Sequence, residues 1–315
     1  MSKTFKILAI DGGGFRGVYS AHLLKRMEAE FGIDWCEDFD LLAGTSTGSI
    51  IAASLALGKS ASGVLDMYSR YGAEIFRKPL GPRCGIFASK YPKSSLRSVL
   101  DGFFGDVRLG EINTPLIIPA TDIGNGCVHV FKSAYDREFV RDLEVRVADA
   151  VLASCSAPTY FPPMLLPGEQ PYLLADGGLW ANSPSLVAAI DAKRRLNAKL
   201  DDLRILSIGT GKAKRFYSIK RFKRRGLFGW GLATRWGRSK FIEMLMSLQS
   251  ETANNMVGLL LNRDQILRLN FESDKSLPLD CAEEFADLVT RADREFTHSS
   301  AETQRFIRQG QEEAT

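Results

Sequence analysis

Four short apolar runs in this chain each end in a glycine-bearing polar turn. Phe5–Ile10 leads into DGGGFRG at 11–17, and 39–43 leads into GTSTG at 44–48. The run at 172–175 leads into DGG at 176–178, and 204–208 leads into GTG at 209–211. Short apolar runs closed by glycine read as buried strands. Between them lie stretches of helical periodicity, the first at 17–31 with Val18, Leu23, Leu24 and Met27 on one stripe. Alternating strands and helices fold into a mostly parallel sheet covered on both faces. The expected fold class is therefore α/β, a three-layer sandwich around a mostly parallel central sheet. Sites in such sheets lie at the carboxyl ends of the strands, so all four turns are expected at one edge.

The same reading places helices at 65–76, 94–104, 149–156, 184–196, 239–261 and 282–296. It places strands at 115–121 and 127–131 about the turn Gly124-Asn125-Gly126, and at 265–271. No internal repeat or low-complexity linker interrupts the chain. A single domain over 1–315 is expected, with 212–238 as a basic, aromatic insertion or loop.

GTSTG matches G-x-S-x-G, placed after an apolar strand and opening a helix, which is the context a nucleophile elbow requires. The glycines permit a tight turn that lifts Ser46 out of the sheet. The same five residues could also be an ordinary Gly/Ser loop. A serine nucleophile needs a base, yet the three histidines lie elsewhere: His22 in the first helix, His129 inside a strand and His298 near the end. The better base is Asp176, because a desolvated carboxylate has a raised pKa. Gly177 and Gly178 would leave room for substrate beside it. An Asp before two glycines is also a common turn.

The loop at 11–17 supplies consecutive backbone N–H groups, with Arg16 adding positive charge. It also satisfies G-x-G-x-x-G through Gly12, Gly14 and Gly17, with Asp34, Asp38 and Asp40 about twenty residues on, the fingerprint of a dinucleotide site. Such N–H groups can hold a pyrophosphate or the oxyanion of acyl transfer. A dinucleotide-binding oxidoreductase is thus one rival reading. It gives no reason for a nucleophile elbow on the next strand, whereas an esterase needs both pieces.

In this order the blocks resemble the patatin-like phospholipases. DGGGFRG looks like that family's oxyanion loop, GTSTG like its elbow, and Asp176-Gly177-Gly178 like its D-G-G/A motif. Ser154-Cys155-Ser156-Ala157-Pro158 with Tyr160-Phe161-Pro162 resembles a structural block. The resemblance covers residues 5 to 211. It implies a carboxylic ester hydrolase of phospholipase A type, with Ser46 attacking the acyl carbonyl and Asp176 as the base of a Ser–Asp dyad. It also implies that Gly12, Gly13 and Gly14, aided by Arg16, hold the oxyanion. No cofactor, metal or calcium is implied. Some compact bacterial relatives are antiphage effectors that degrade membrane when a cyclic dinucleotide switches them on. That implies an enzyme held inactive until triggered.

The formal net charge of +4 is a sum of unequal parts. Twelve Lys/Arg and no acid fall between Leu203 and Ile242, so the remainder carries −8. The residues singled out for contact with an anionic ligand or membrane are Lys220, Arg221, Lys223, Arg224, Arg225 and Trp230. Three readings stay open: a solvated loop, a patch that meets an anionic bilayer with Trp/Phe at the interface, or a site for a phosphorylated ligand. Positive charge confined to one segment of an otherwise acidic chain argues against the other rival, a non-enzymatic nucleic-acid-binding protein, so no nucleic-acid polymer is expected. The expected partners are a phospholipid bilayer contacted peripherally and a cyclic dinucleotide, with a homo-oligomer left open.

No run approaches the ~18 apolar residues of a spanning helix, and residues 7–10 are too short for a signal-peptide core. Five scattered cysteines, never spaced C-x-x-C, argue against zinc or disulfides. A cytoplasmic protein is the expectation, peripheral to the membrane when active.

Overall fold

The computed structural model describes residues 4–77, 88–168, 171–214, 240–275 and 277–309. The chain begins with β1 (Phe5–Ile10), α1 (Gly17–Phe31) and the short α2 (Trp35–Asp38), then β2 (Leu41–Gly44). Next come α3 (Thr47–Ala56), α4 (Ala61–Ile75) and α5 (Lys93–Phe104), then the strands β3 (Leu116–Asp122) and β4 (Cys127–Lys132). They are followed by α6 (Val147–Ser154), β5 (Met164–Leu166), β6 (Tyr172–Asp176), α7 (Gly178–Ala181) and α8 (Ser185–Arg195). The last part holds β7 (Leu203–Ile208), β8 (Lys212–Ala213), α9 (Lys240–Leu260), β9 (Ile266–Leu269), β10 (Glu272–Ser273) and α10 (Phe285–Arg308).

The main sheet runs β5-β6-β3-β2-β1-β7-β9, with β4 also on β3, while β8 and β10 pair apart from it. β3, β2, β1, β7 and β9 are parallel to one another. Residues of β1 alternate between two cores, as strand geometry requires. Leu8 and Ile10 join the larger core with α1, α3, α6 and α10. Ile7 and Ala9 join the smaller one with Ala188, Ala189 and Ala192 of α8 and Val257 of α9. The sheet is thus covered on both faces, and the three-layer expectation holds.

One strand of the site runs against the others. β6 is antiparallel to β3, so Asp176 does not arrive with the parallel strands. β3 has two edges, and β4 occupies one along its length from Ile117 to Asp122. On the other edge β2 pairs with Leu116 and Ile117, and β6 pairs with Ala120 to Asp122. β2 and β6 therefore lie end to end along one edge of β3, pointing at each other. The elbow leaves where β2 stops, and Asp176 arrives at the same gap from the opposite direction.

Two smaller differences have local causes. β5 is only three residues long, too short to show a period. α10 continues to Arg308, well past residue 296, because its buried face carries Ser299 and Thr303 between Phe296 and Phe306. Small polar residues hide the apolar stripe there, although the helix packs against α1. The candidate contacts Lys220, Arg221, Lys223, Arg224, Arg225 and Trp230 lie outside the described residues.

Candidate active site

The elbow is built from glycines that have no room for a side chain. A Cβ on Gly44 would sit 2.1 Å from the Gly48 carbonyl oxygen, and one on Gly48 would sit 2.2 Å from that of Ile10. Between them Ser46 adopts φ 53° and ψ −125°, a strained backbone for a residue with a Cβ. Its N–H donates to Ser154 Oγ at 2.9 Å, and that hydroxyl donates to the Pro119 carbonyl at 2.6 Å. Ser154 thus ties the elbow to β3 and helps hold the strained turn. The sequence placed Ser154 in a structural block without showing what it holds.

Ser46 Oγ donates to Asp176 Oδ2 at 2.7 Å, and the Gly178 N–H donates to Oδ1 at 2.7 Å. Asp176 is 1% exposed, and among the described residues no cation pairs with it. Burial pushes its carboxyl pKa up to about 7, and the Ser46 and Gly178 hydrogen bonds pull the other way without restoring the usual range. That suits a general base near neutral pH. Gly177 and Gly178 do not leave space for substrate, as the sequence suggested. A Cβ on Gly177 would lie 2.2 Å from the Pro119 oxygen, and one on Gly178 would lie 2.4 Å from Met246 Cε. They allow close packing instead.

The glycine loop also differs from expectation in detail. The N–H of Gly12 is committed to the Asn182 carbonyl at 2.9 Å, and Thr210 Oγ1 donates to the Gly12 carbonyl at 2.7 Å. Gly12 is an anchor. The N–H groups of Gly13 and Gly14 have no partner among the described residues, and Gly14 borders the cavity beside Ser46. Gly14 has φ +58°, and a Cβ on it would meet the Leu279 carbonyl oxygen at 2.2 Å, so only glycine fits.

Arg16 is likewise placed differently. Its guanidinium donates to the carbonyls of Gly13 (3.1 Å), Gly211 and Leu277 (both 3.4 Å), and it does not border the cavity of Ser46. It shapes the loop rather than facing an oxyanion. Gly17, the last glycine of the dinucleotide pattern, faces Thr47 and Tyr68, where a Cβ would lie 2.2 Å from Thr47 Oγ1. The pattern reflects packing of the loop against the elbow.

The three histidines stay away from the dyad. His22 Nε2 meets Asp293 at 3.0 Å, His129 Nε2 meets Asp142 at 3.2 Å, and His298 is exposed on α10. Among the described residues no group of three or more His, Cys, Asp and Glu could hold a metal ion, and no helix is long and apolar enough to cross a membrane.

Ser46 and Asp176 form the polar end of an apolar cavity of about 570 Å³, counting its mouth. Ile50, Ile75, Phe76, Phe161, Met246 and Leu279 line it. A serine at a strained elbow, a raised carboxyl against its hydroxyl and an apolar chamber suit an acyl group.

Residues 8–189 match the family model described as Patatin-like phospholipase. The chain belongs to that family. Patatin-like relatives include a cGAMP-activated phospholipase of Pseudomonas aeruginosa, 34% identical over 211 residues, covering 66% of this chain and 62% of that one. Another cGAMP-activated phospholipase, from Vibrio cholerae, is 28% identical over 331 residues, covering 94% of this chain and 92% of that one. A cUMP-AMP-activated phospholipase of Escherichia coli is 33% identical over 215 residues, covering 65% and 64%. The chain thus spans less than two thirds of the length of the Pseudomonas and Escherichia relatives and nearly all of the Vibrio one. The family match supports neither the oxidoreductase nor the nucleic-acid reading.

Proposed function

We propose that this patatin-like protein hydrolyses acyl esters of membrane phospholipids through Ser46 and Asp176, under the control of a cyclic dinucleotide. Ser46 Oγ attacks the acyl carbonyl while its proton passes to Asp176 Oδ2. The oxyanion is met by the N–H groups of Gly13 and Gly14, which have no partner among the described residues. Collapse breaks the acyl C–O bond, and Asp176 returns the proton to the departing lysophospholipid oxygen. Water then attacks the acyl–Ser46 ester, giving its proton to Asp176, and the second collapse frees the fatty acid as Ser46 regains a proton. The observation that carries this reading is the 2.7 Å bond from the strained serine to a buried carboxylate with no cation beside it among the described residues.

An enzyme that degrades bilayers must be restrained in the cell that makes it. The names of the bacterial relatives, which specify activation by cGAMP or cUMP-AMP, support a cyclic dinucleotide as the trigger. Contact with the bilayer is expected to be peripheral, since the acyl cavity needs only one chain lifted from the membrane.

The test is fatty-acid release from vesicles of phosphatidylethanolamine and phosphatidylglycerol by wild type and Ser46→Ala, each with and without cGAMP, cUMP-AMP and cyclic di-AMP. Release by wild type that depends on one nucleotide and vanishes in Ser46→Ala is the expected result. Equal release by Ser46→Ala overturns the dyad, and release indifferent to every nucleotide overturns the control.

A further inference from the structure

A second cavity borders the oxyanion loop without including Ser46. Asp11, Arg16, Asn182, the turn after β7 and one side of α9 form its walls, and it encloses about 950 Å³ counting its mouth. The acyl cavity is apolar, whereas this cleft is lined mainly by amides, hydroxyls and charged groups. We propose that the cleft is where the cyclic dinucleotide binds, and that its occupancy is felt at the dyad through Gly12 and α9. This inference rests on the activator reading above and gives that activator a place.

The lining matches the ligand in chemistry. Four carboxylates face three cations, so bulk charge alone does not draw in a polyanion, and a ligand must offer more than phosphate. Asn255, exposed on α9, presents a donor beside an acceptor, the pattern that pairs with a purine edge, while Asn270 offers its Nδ2 donor because its Oδ1 already holds the Gly211 N–H at 2.7 Å. Glu251 and Glu272 can accept from base amino groups. Among the described residues, the Lys212 ammonium pairs with Glu251 alone, at 2.8 Å and exposed. Such a pair is weak in water, so a phosphate can take the ammonium from it.

The cleft is also joined to the catalytic loop by a continuous polar chain. Arg268 grips Asp11 with two bonds, of 2.9 and 2.6 Å, and Ser250 Oγ donates to Asp11 at 3.1 Å. Asn182 Nδ2 donates to Ser250 Oγ at 2.7 Å, and the Asn182 carbonyl accepts the Gly12 N–H. The buried Oδ1 of Asn182 has no partner among the described residues, which leaves this joint under-satisfied and able to reorient. On the far side, Met246 of α9 lines both cavities and packs against Gly178, whose N–H holds Asp176. A ligand that shifts Asn182 or α9 therefore acts on the oxyanion loop and on the base together.

The test is calorimetric titration of the full chain with cGAMP, cUMP-AMP and cyclic di-AMP. The proteins are wild type, Asn255→Trp, which fills the cleft from an exposed helix position, and Lys212→Ala, with ligand-free melting curves to confirm folding. Wild type is expected to bind one nucleotide, and each variant to bind it at least ~10-fold more weakly. Unaltered affinity in both folded variants overturns the cleft assignment while leaving the activator standing. No binding of any nucleotide to wild type overturns the activator and, with it, the site.

Discussion

Asp176 and Asp11 are both buried aspartates placed where a strand meets a glycine-rich turn, yet their surroundings assign them opposite work. Asp176 accepts one O–H and one N–H and faces no cation among the described residues. Asp11 is gripped by two guanidinium N–H groups of Arg268 and by the Ser250 hydroxyl. Burial is equal, at 1% and 3% exposure, so pairing makes the difference. A buried carboxylate without a cation holds a proton near neutrality and can trade it with a serine. One with an arginine is a strut, and here it props the glycine-rich loop beside the elbow.

The largest expected effect comes from removing the base. Asp176→Asn keeps the size of the side chain and should lower fatty-acid release by ~10⁴-fold, the scale seen when a triad carboxylate is made an amide. Asp11→Asn should leave measurable turnover. Equal losses in the two variants would break the comparison.

The same substitution should stabilise the fold at high pH. Asp176 has its folded pKa raised from 3.8 to about 7, so the native state binds the proton more tightly than the unfolded chain. Its contribution to stability is greatest below pH 3.8 and falls as pH rises to about 7. At ~1.4 kcal/mol per unit, the charged form costs about 4 kcal/mol above neutrality. Asp176→Asn should melt higher than wild type at pH 8, with the gap closing towards pH 4, as thermal melts across pH would show. Activity limited by the same proton should rise with pH through about 7 and then level.

Removing the strut should act in the opposite sense. Arg268→Ala leaves the Asp11 carboxylate buried and unpaired, which should cost about 3 kcal/mol in denaturant titrations. Restoration by the double variant Arg268→Met with Asp11→Asn would confirm that the stranded charge was the cause. The smallest effect is expected from Ser154→Ala. It frees the Ser46 N–H but leaves the dyad in place, and should reduce turnover about tenfold, the equivalent of one hydrogen bond of ~1–1.5 kcal/mol. Unchanged turnover would show that the glycines alone hold the elbow.

Much of this site was legible along the chain. The elbow could be read because its requirements are local: an apolar run, two glycines about a serine, and a helix behind. Asp176 could be read as the candidate base because no histidine followed a strand at the right edge. The donor assignments were less legible. Consecutive glycines show that N–H groups can be offered, but not that Gly12 would give its own to Asn182, a residue 170 positions away. Arg16 looked like an oxyanion partner because it is charged and adjacent. Its position is set instead by carbonyls of Gly211 and Leu277, from segments that meet only in the folded state.

The α/β class, the candidate nucleophile and base and the loop that flanks them could be read from the chain alone, because each follows from short-range pattern and backbone geometry. Tertiary structure alone decided that Asp176 arrives against the direction of the parallel strands, on the edge of β3 that β2 gives up. It also decided that one buried aspartate meets an arginine and the other, among the described residues, meets none. Both outcomes depend on which distant segments share an edge or a cavity, and on how far burial removes their charges from water, neither of which any local pattern encodes.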